Sequence, residues 1–184
     1  MTEQLPLTSV STDATPVIEV RAVRPEEWEA AGAATAAAYQ EFYTGDADPH
    51  RSNYLERIAD VAQRAPRTLV LVALLDGRVA GSSTLELTGR VEPDSPPPAP
   101  GSAHVRMVGV APTERRRGIA RALMVASIQA ARDAGCHTLT LNTTEFMTGA
   151  QRLYESLGFV RGADLPFGED FVLLSYALDL SASA

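Results

Sequence analysis

The chain has little of what secreted and membrane proteins depend on. It contains one cysteine, Cys136, which cannot form an internal disulfide, and a lone thiol suits a reducing compartment. It has no uninterrupted apolar run of about 18 residues, the length that suggests a membrane span. The opening residues, MTEQLPLTSV, do not combine a basic segment with an apolar one, so they predict no secretory signal. These absences predict a cytoplasmic protein without a membrane partner.

Positive charge is also scarce. The chain has 16 lysines and arginines against 23 aspartates and glutamates, which gives a formal net charge of -7. Nonspecific nucleic-acid binding depends on neutralising phosphates, so this balance argues against a nucleic-acid partner. An acidic surface suits a cationic acceptor, but it suits ordinary solubility equally well. Three consecutive arginines, Arg115, Arg116 and Arg117, therefore form a local positive site on an acidic protein.

Two common phosphate-binding motifs are missing as well. The chain has neither G-x-x-x-x-G-K-[ST] nor a G-x-G-x-x-G after a strand, which argues against P-loop and Rossmann nucleotide sites. Cys136 has no motif-like histidine partner, so it does not support an acyl-cysteine mechanism. We expect no metal site.

The length and composition predict one globular domain. Of the 184 residues, 45% are hydrophobic, and a chain of this size buries about 70% of its unfolded surface. Residues 1–16 are polar and lack periodicity, so they predict a mobile N-terminal tail. The single domain is then expected to span residues 17–184.

Strand and helix patterns alternate along that domain. Asp76-Gly77 is a strong hairpin signal between two of the strands. The proline-rich segment Gly89–Ser102 is an insertion between strands, either a flap over a ligand site or a solvated loop. The predicted strands are 17–23, 68–75, 78–87, 103–110, 137–141, 171–178 and one that begins at 159, and the predicted helices are 25–42, 54–64, 118–135 and 149–156.

The stretch Val105–Ala126 carries the clearest chemical signal. It predicts a strand, a turn at Pro112 and a helix that begins at Gly118. The first turn of a helix has unpaired N–H groups and a partial positive charge, and both favour a bound phosphate. Gly118 lets a ligand approach the backbone, and the adjacent arginines suit phosphate oxygens. The stretch indicates a pyrophosphate site, with a solvated cationic patch as the alternative.

Two motifs give the chain a resemblance to a known family. The hexad Arg115–Ala120 matches (Q/R)-x-x-G-x-(G/A), and Ala150–Phe159 matches A-x-x-L-Y-E-x-L-G-F. In this order, with a strand between them, they resemble the GCN5-related N-acetyltransferase (GNAT) superfamily. The resemblance implies an α/β fold with a mixed, mostly antiparallel central sheet and helices on both faces. It also implies that two parallel strands, Ala103–Val110 and His137–Leu141, splay apart.

The resemblance further implies acetyl-CoA as the acyl donor and an amine of a small molecule or protein as the acceptor. The pantetheine arm would insert between the splayed strands, and the pyrophosphate would lie on the arginine-rich turn. Met147 stands where the family often has an asparagine, and Asn142 is the candidate replacement. The candidate donor-binding residues are Val108, Gly109, Val110, Arg115, Arg116, Arg117, Gly118, Ile119, Ala120 and Asn142.

Two catalytic roles follow from the same resemblance. Tyr154, in the L-Y-E motif, would protonate the departing thiolate; the alternative is a core aromatic on its helix. His104 lies where many members have a glutamate and would accept the proton of the amine, because imidazole titrates near neutrality. Otherwise it is an edge residue with no catalytic part. Glu86 and Glu145 are lesser candidates for the base.

The sequence leaves the acceptor and the assembly open. In the family the connection between the first two helices helps form the acceptor site. Tyr43, Asp46, Asp48 and His50 are therefore candidate contacts, or else simply loop residues. A homodimer is a further expectation from the resemblance. Two other functions remain alternatives: a catalytically weak CoA-binding regulatory module, and a structural phosphate-binding domain.

Overall fold

A computed structural model describes residues 17–42, 49–91, 98–166 and 172–181. The predicted N-terminal tail lies outside these residues. The strands are β1 (Ile18–Ala22), β2 (Leu69–Leu75), β3 (Arg78–Glu86), β4 (Ser102–Val110), β5 (Thr138–Thr144), β6 (Val160–Pro166) and β7 (Val172–Asp179). The helices are α1 (Trp28–Gln40), α2 (Pro49–Ala59), α3 (Val61–Arg64), α4 (Ile119–Asp133) and α5 (Thr148–Ser156), with short 3-10 turns at Pro25–Glu27 and Pro112–Glu114.

The described strands form one seven-stranded sheet in the order β1-β2-β3-β4-β5-β7-β6. Neighbouring strands run antiparallel except β4 and β5, which are parallel. A parallel pair needs a long crossover connection, and α4 provides it. The predicted fold class, a mixed and mostly antiparallel sheet with one parallel pair, is confirmed.

Both faces of the sheet are covered, and β2 shows why its sequence is continuously apolar. Leu71 and Ala73 pack with Leu123 of α4 on one face. Val70 and Val72 pack with Ala31 of α1 on the other. Because successive side chains of a strand point to opposite faces, a strand between two helical layers has no polar side. This arrangement fixes which face of β4 meets α4 and which meets α1.

The hairpin between β2 and β3 follows its local signal. Asp76 and Gly77 both have positive φ, 50° and 78°, as a two-residue turn of type I′ requires. The register then shifts, because Ala73 pairs with Gly81 while Leu74 pairs with Val79. Ala80 has no register partner on β2, so the irregularity lies beside Gly81.

The second predicted helix differs from the observed one. The sequence predicts one helix over 54–64. In the structure α2 begins at Pro49, and the helix is interrupted at Asp60 before α3 begins. Asp60 leaves helical geometry, and its side chain accepts a hydrogen bond from the Gln63 N–H at 2.9 Å. An N-cap of this kind starts a new helix.

The fifth strand is also longer than predicted, because Asn142, Thr143 and Thr144 pair with β7.

The two parallel strands separate partway along their length. Their pairing runs from Ser102 with Thr138 to Val105 with Leu141 and stops there. Beyond that point β4 continues beside β3, and β5 continues beside β7. The predicted splay is therefore present, and it opens in the middle of the sheet. Among the described residues, no helix combines the length and apolar character needed to cross a bilayer.

Candidate functional site

A bulge in β4 accompanies the separation of the strands. Arg106 pairs with Thr84 and Gly109 with Ser82, so Met107 and Val108 together face one residue of β3. Met107 has a φ of 51°, in the left-handed region that a side chain of this size rarely adopts. A bulge bends its strand and ends regular pairing. The bent part of β4 carries Val108, Gly109 and Val110, the residues predicted to meet the pantetheine arm.

Gly109 is required by packing, whatever else it does. A Cβ at this position would lie 2.8 Å from Thr35 Cγ2 and 3.2 Å from Ala38 Cβ, both on α1. Its neighbour Val110 is buried on the opposite face in the cluster that includes Ile119. The α1 helix therefore rests directly on the bent part of β4.

The start of α4 is open at its backbone. Gly118 is the N-cap, with a φ of 83° and no side-chain capping hydrogen bond. A Cβ placed there would have Ile18 Cδ1, at 3.9 Å, as its nearest neighbour. The first-turn N–H groups of this 15-residue helix have no partner within the helix, and a ligand can approach the backbone at Gly118. The geometry fits a phosphate group, because an anion can reach both these donors and the positive end of the helix dipole.

The three arginines of the motif occupy different environments. Arg115 forms an ion pair with Glu41 at 2.8 Å and also donates to the Ala38 carbonyl at 3.4 Å. Arg117 lies 3.5 Å from Glu114. Arg116 is exposed, has a φ of 62°, and makes no ion pair with any side chain that the structure describes. In the sequence the three arginines look equivalent. In the structure Arg115 and Arg117 already form ion pairs with carboxylates of the protein.

Three further residues of the predicted donor site have distinct positions. Ile119 is buried in the core and anchors the first turn of α4, while Ala120 is half-buried beside it. Asn142 is exposed and is the first residue of β5 beyond the last pair with β4. It therefore lies at the wall of the gap. Met147 is the N-cap of α5, and its Sδ accepts from the Thr143 hydroxyl at 3.6 Å.

Tyr154 lies on α5 with its ring in the core. The ring packs against Phe159 and Tyr176, with centroid distances of 6.0 and 6.1 Å. Burial raises the pKa of the phenol to about 12. The hydroxyl makes no hydrogen bond to the side chains that the structure describes. Tyr154 is a core aromatic that also keeps its proton at neutral pH, so its packing and its predicted role are compatible.

His104 lies one residue before the strands separate. Its Nδ1 is 2.7 Å from Thr140 Oγ1 on β5, and that hydroxyl is 3.2 Å from the Ala103 carbonyl oxygen. Burial, together with the charge of Arg106, lowers the pKa of His104 to about 4. The imidazole is therefore neutral at physiological pH, and its pKa no longer lies near neutrality, which was the reason for predicting His104 as the base. None of the described residues forms a hydrogen bond with Nε2.

The other candidates for the base are placed less favourably. Glu86 is buried beside His104 on β3, where its Oε1 accepts from the Val91 N–H at 2.6 Å. The same oxygen is 3.6 Å from Arg106 Nη1. Glu145 is exposed in the turn after β5. The carboxylate of Glu86 is thus engaged with groups of the protein, whereas the Nε2 atom of His104 is not.

Part of the predicted acceptor region lies outside the described residues. This applies to Tyr43, Asp46 and Asp48, while His50 lies in the first turn of α2. The proline-rich insertion is described only at its ends. Val91 is buried against Ile58 and Met107, so the insertion begins on the same face of the sheet as α2. The flap stays a prediction.

Sequence reasoning missed three residues that shape this site: Arg106, Met107 and Thr140. The alternation of β5 places Thr140 and Asn142 on the same face, which could have drawn attention to Thr140. The effect of Arg106 on His104 also follows from alternation along β4. Nothing local marks Met107, because its φ depends on how β3 and β4 pair. Among the described residues there is no group of His, Cys, Asp or Glu side chains arranged to hold a metal ion.

Comparisons with known proteins agree with this geometry. The mycothiol acetyltransferase of Thermobispora bispora is 47% identical over 57 residues, which is 31% of this chain and 19% of that protein. The chain spans between 19% and 31% of the length of the mycothiol acetyltransferases that it matches. These matches are too short to transfer a substrate.

Solved structures share the fold over nearly the whole chain. The yncA protein of Salmonella typhimurium, solved with its cofactor acetyl-CoA, has a TM-score of 0.62 at 21% identity, over 91% of this chain and 96% of that one. The PaiA N-acetyltransferase of Thermoplasma acidophilum, solved with coenzyme A, has a TM-score of 0.68 at 16% identity, over 89% and 99%.

The family itself is shown by a sequence model. The model of the acetyltransferase (GNAT) family matches residues 31–159, well over half of the chain. The matched range runs from α1 to Phe159 and includes the bent strand β4, the start of α4 and Tyr154. The chain therefore belongs to the acetyltransferase (GNAT) family.

Proposed function

We propose that this protein transfers the acetyl group of acetyl-CoA to a primary amine of a small molecule or a protein. The observation that carries the proposal is the continuity of two features along one segment. Strand β4 loses its partner β5 after Val105 and then leads into the open first turn of α4 at Gly118. A molecule with an extended arm and a pyrophosphate fits this combination of a gap and an anion site.

The donor would bind mainly through the backbone. The bent part of β4, at Val108 to Val110, supplies peptide groups for the pantetheine arm. The first turn of α4 supplies N–H donors to the pyrophosphate, with Arg116 as the arginine whose charge is not already paired. Asn142, on the β5 side of the gap, is a polar contact for the arm.

The reaction proposed is a direct attack. The acceptor nitrogen adds to the thioester carbonyl, a new N–C bond forms, and the C–S bond breaks. The proton of the attacking nitrogen passes to Nε2 of His104. Tyr154 gives its phenolic proton to the departing thiolate, whose basicity resembles that of a cysteine thiolate with a pKa of about 8.5. The raised pKa of Tyr154 keeps the phenol protonated at neutral pH and also makes it a weaker acid than the thiol that forms, so the transfer depends on the position of the phenol against the sulfur.

The acceptor class is proposed no more finely than a primary amine. The similar curated proteins are named mycothiol acetyltransferases, which makes an amino sugar conjugate worth including in a screen. A protein amine belongs in the same screen. Cytoplasmic location, a homodimer and a single domain over 17–184 stay predictions.

Calorimetric titration with acetyl-CoA tests the donor site. Dephosphorylated pantetheine is the control, because it keeps the arm and lacks the pyrophosphate. We expect binding of acetyl-CoA alone, since the open start of α4 can then contribute. Equal binding of both compounds would remove the role of the α4 turn, and no binding of either would contradict the proposed function.

Tyr154→Phe separates an enzyme from a CoA-binding regulatory module. The substitution removes the hydroxyl and keeps the ring that packs against Phe159 and Tyr176. We expect turnover with the best amine of the screen to fall by about 100-fold or more, with acetyl-CoA affinity unchanged. Thiol release is the readout. An unchanged rate would mean that the thiolate takes its proton from elsewhere.

A further inference from the structure

The hydroxyl of Thr140, on β5, lies within hydrogen-bond distance of two groups on the neighbouring strand β4. It lies between the Nδ1 atom of His104, at 2.7 Å, and the Ala103 carbonyl oxygen, at 3.2 Å. A carbonyl oxygen can only accept, and a hydroxyl has one proton. Both contacts are therefore hydrogen bonds only if Thr140 donates to Ala103 and accepts from Nδ1–H.

This direction decides the state of the imidazole. With its proton on Nδ1, a neutral imidazole has its lone pair on Nε2. The geometry points to Thr140 as the positioning residue that keeps the His104 tautomer competent to accept the proton of the acceptor amine. This inference rests on the proposed function, in which His104 is the base.

The surroundings of His104 support the assignment. Arg106, two residues along β4, lies on the same side of the strand as His104. The register partners of His104 are Glu86 on β3 and Thr140 on β5. Glu86 is engaged with the Val91 N–H and Arg106, so it does not compete for Nδ1. The pairing of His104 with Thr140 is the second-last before the strands separate. The imidazole is therefore anchored on the paired part of the sheet and lies at the edge of the gap.

The spacing of the strands explains why threonine serves here. His104 and Thr140 are register partners in the parallel pair. The short side chain of Thr140 therefore spans the distance between the two strands. Because threonine is branched at Cβ, few χ1 rotamers are open to it. Serine keeps the hydroxyl, whereas valine keeps the shape and loses it.

The test combines nitrogen NMR with kinetics on the full chain. The chain has three histidines, and His104→Gln identifies the signals of His104 by their disappearance. In the native protein we expect Nδ1 to be protonated and Nε2 to be free of a proton. In Thr140→Val we expect the proton to move at least partly to Nε2, and in Thr140→Ser to remain on Nδ1.

Kinetics provide the second readout, with acetyl-CoA as donor and a panel of benzylamine, lysine and an alanine-headed tripeptide as acceptors. Thr140→Val should lower kcat at least tenfold with the KM for acetyl-CoA unchanged, and Thr140→Ser should restore most of it. Thr138→Val, two residues earlier on the same face of β5, is the matched control and should behave as the native protein. Circular dichroism establishes that each variant is folded.

The possible failures are distinguishable. A native protein whose His104 carries its proton on Nε2 overturns the inference, whatever the activity. A Thr140→Val variant with native turnover overturns it as well. If the native protein binds acetyl-CoA but acetylates no amine of the panel, the proposed function fails and the positioning role falls with it, while the NMR arm still reports the tautomer.

Discussion

Single buried groups show how strongly their surroundings change their chemistry. Arg64 is fully buried on α3 and donates to the carbonyl oxygens of Arg57 and Asp60 at the end of α2, at 3.0 and 2.9 Å. Its Nε donates to Thr84 on β3 at 3.1 Å. Burial lowers its pKa to about 10, although the guanidinium remains charged at pH 7. A cation at a helix C-terminus is favoured by the helix dipole, so Arg64 joins α2 to the sheet.

The neutral His104 should make stability depend on pH. Its folded pKa of about 4 lies below the ordinary value of 6.5, so the unfolded chain takes up the proton first. Stability is lost as pH falls from about 6.5 towards 4, by about 3 kcal/mol at most. We expect His104→Gln to flatten this part of the profile in urea unfolding at several pH values. His137→Gln, at an exposed position, is the control, and an equal slope in both variants would contradict the assignment.

The absence of a side chain at Gly109 gives a prediction about packing. Gly109→Ala should destabilise the protein by about 1–3 kcal/mol, because the new Cβ would press on Thr35 of α1. Gly149→Ala is the matched control, since a Cβ there meets nothing within 4 Å and alanine favours a helix. Urea denaturation measures both. Native stability in Gly109→Ala would mean that α1 moves away from β4 without cost.

At the scale of elements, α4 connects the site with the core. Its apolar residues Ile119, Leu123, Met124 and Ile128 recur at helical spacing and bury one side against the sheet. This packing places the first turn over β2 and the end of β4, with Gly118 near Ile18 of β1. The ion pair of Arg115 with Glu41 also holds that turn against the end of α1. The position of the proposed anion site thus depends on packing along the whole helix.

Alanine substitutions at the two glycines that flank α4 distinguish an effect on backbone strain from an effect on ligand binding. Gly118 and Gly135 have similar positive φ values, 83° and 76°, and alanine in this conformation costs about 1 kcal/mol. We expect both Gly118→Ala and Gly135→Ala to lose about that much stability. Only Gly118→Ala should weaken acetyl-CoA binding, by about tenfold in calorimetry, because its methyl group blocks approach to the first turn. Equal affinities in the two variants would remove Gly118 from the donor site.

At the scale of the whole molecule, β4 joins the two halves of the described sheet. It pairs with β3 along one edge and with β5 along the other, and its two faces contribute to separate core clusters. A break between the two halves of the sheet would therefore expose both clusters. The splay weakens this connection only beyond Val105.

This continuity predicts a single unfolding transition. Trp28, the one tryptophan of the chain, packs with the cluster of Ala31 and Val70 beside β2. Its fluorescence reports one end of the sheet, whereas far-UV circular dichroism reports the whole. We expect the two curves in urea to coincide. A separate, earlier change in either signal would mean that the chain unfolds as two units.

The sequence by itself determined most of the element order, because these signals are local. Asp76-Gly77 marked the first hairpin, while Gly118 and Gly135 marked the ends of α4. The motif at Arg115–Ala120 predicted an anion site at the start of α4 without any knowledge of packing, and that site stays a prediction. Helix and strand periodicity gave the layers, while the start of α2, the break at Asp60, the 3-10 turn at Pro25–Glu27 and the length of β5 differed from the prediction.

Only the tertiary structure decided how the site is assembled, because its parts are distant in sequence. The bulge at Met107 arises from pairing with β3, the gap after Val105 from the limit of pairing with β5, and the contact of His104 Nδ1 with Thr140 Oγ1 from the pairing of β4 with β5. The burial that neutralises His104 likewise comes from the packed sheet. Such contacts depend on which strands become neighbours, and a local pattern of residues does not contain that information.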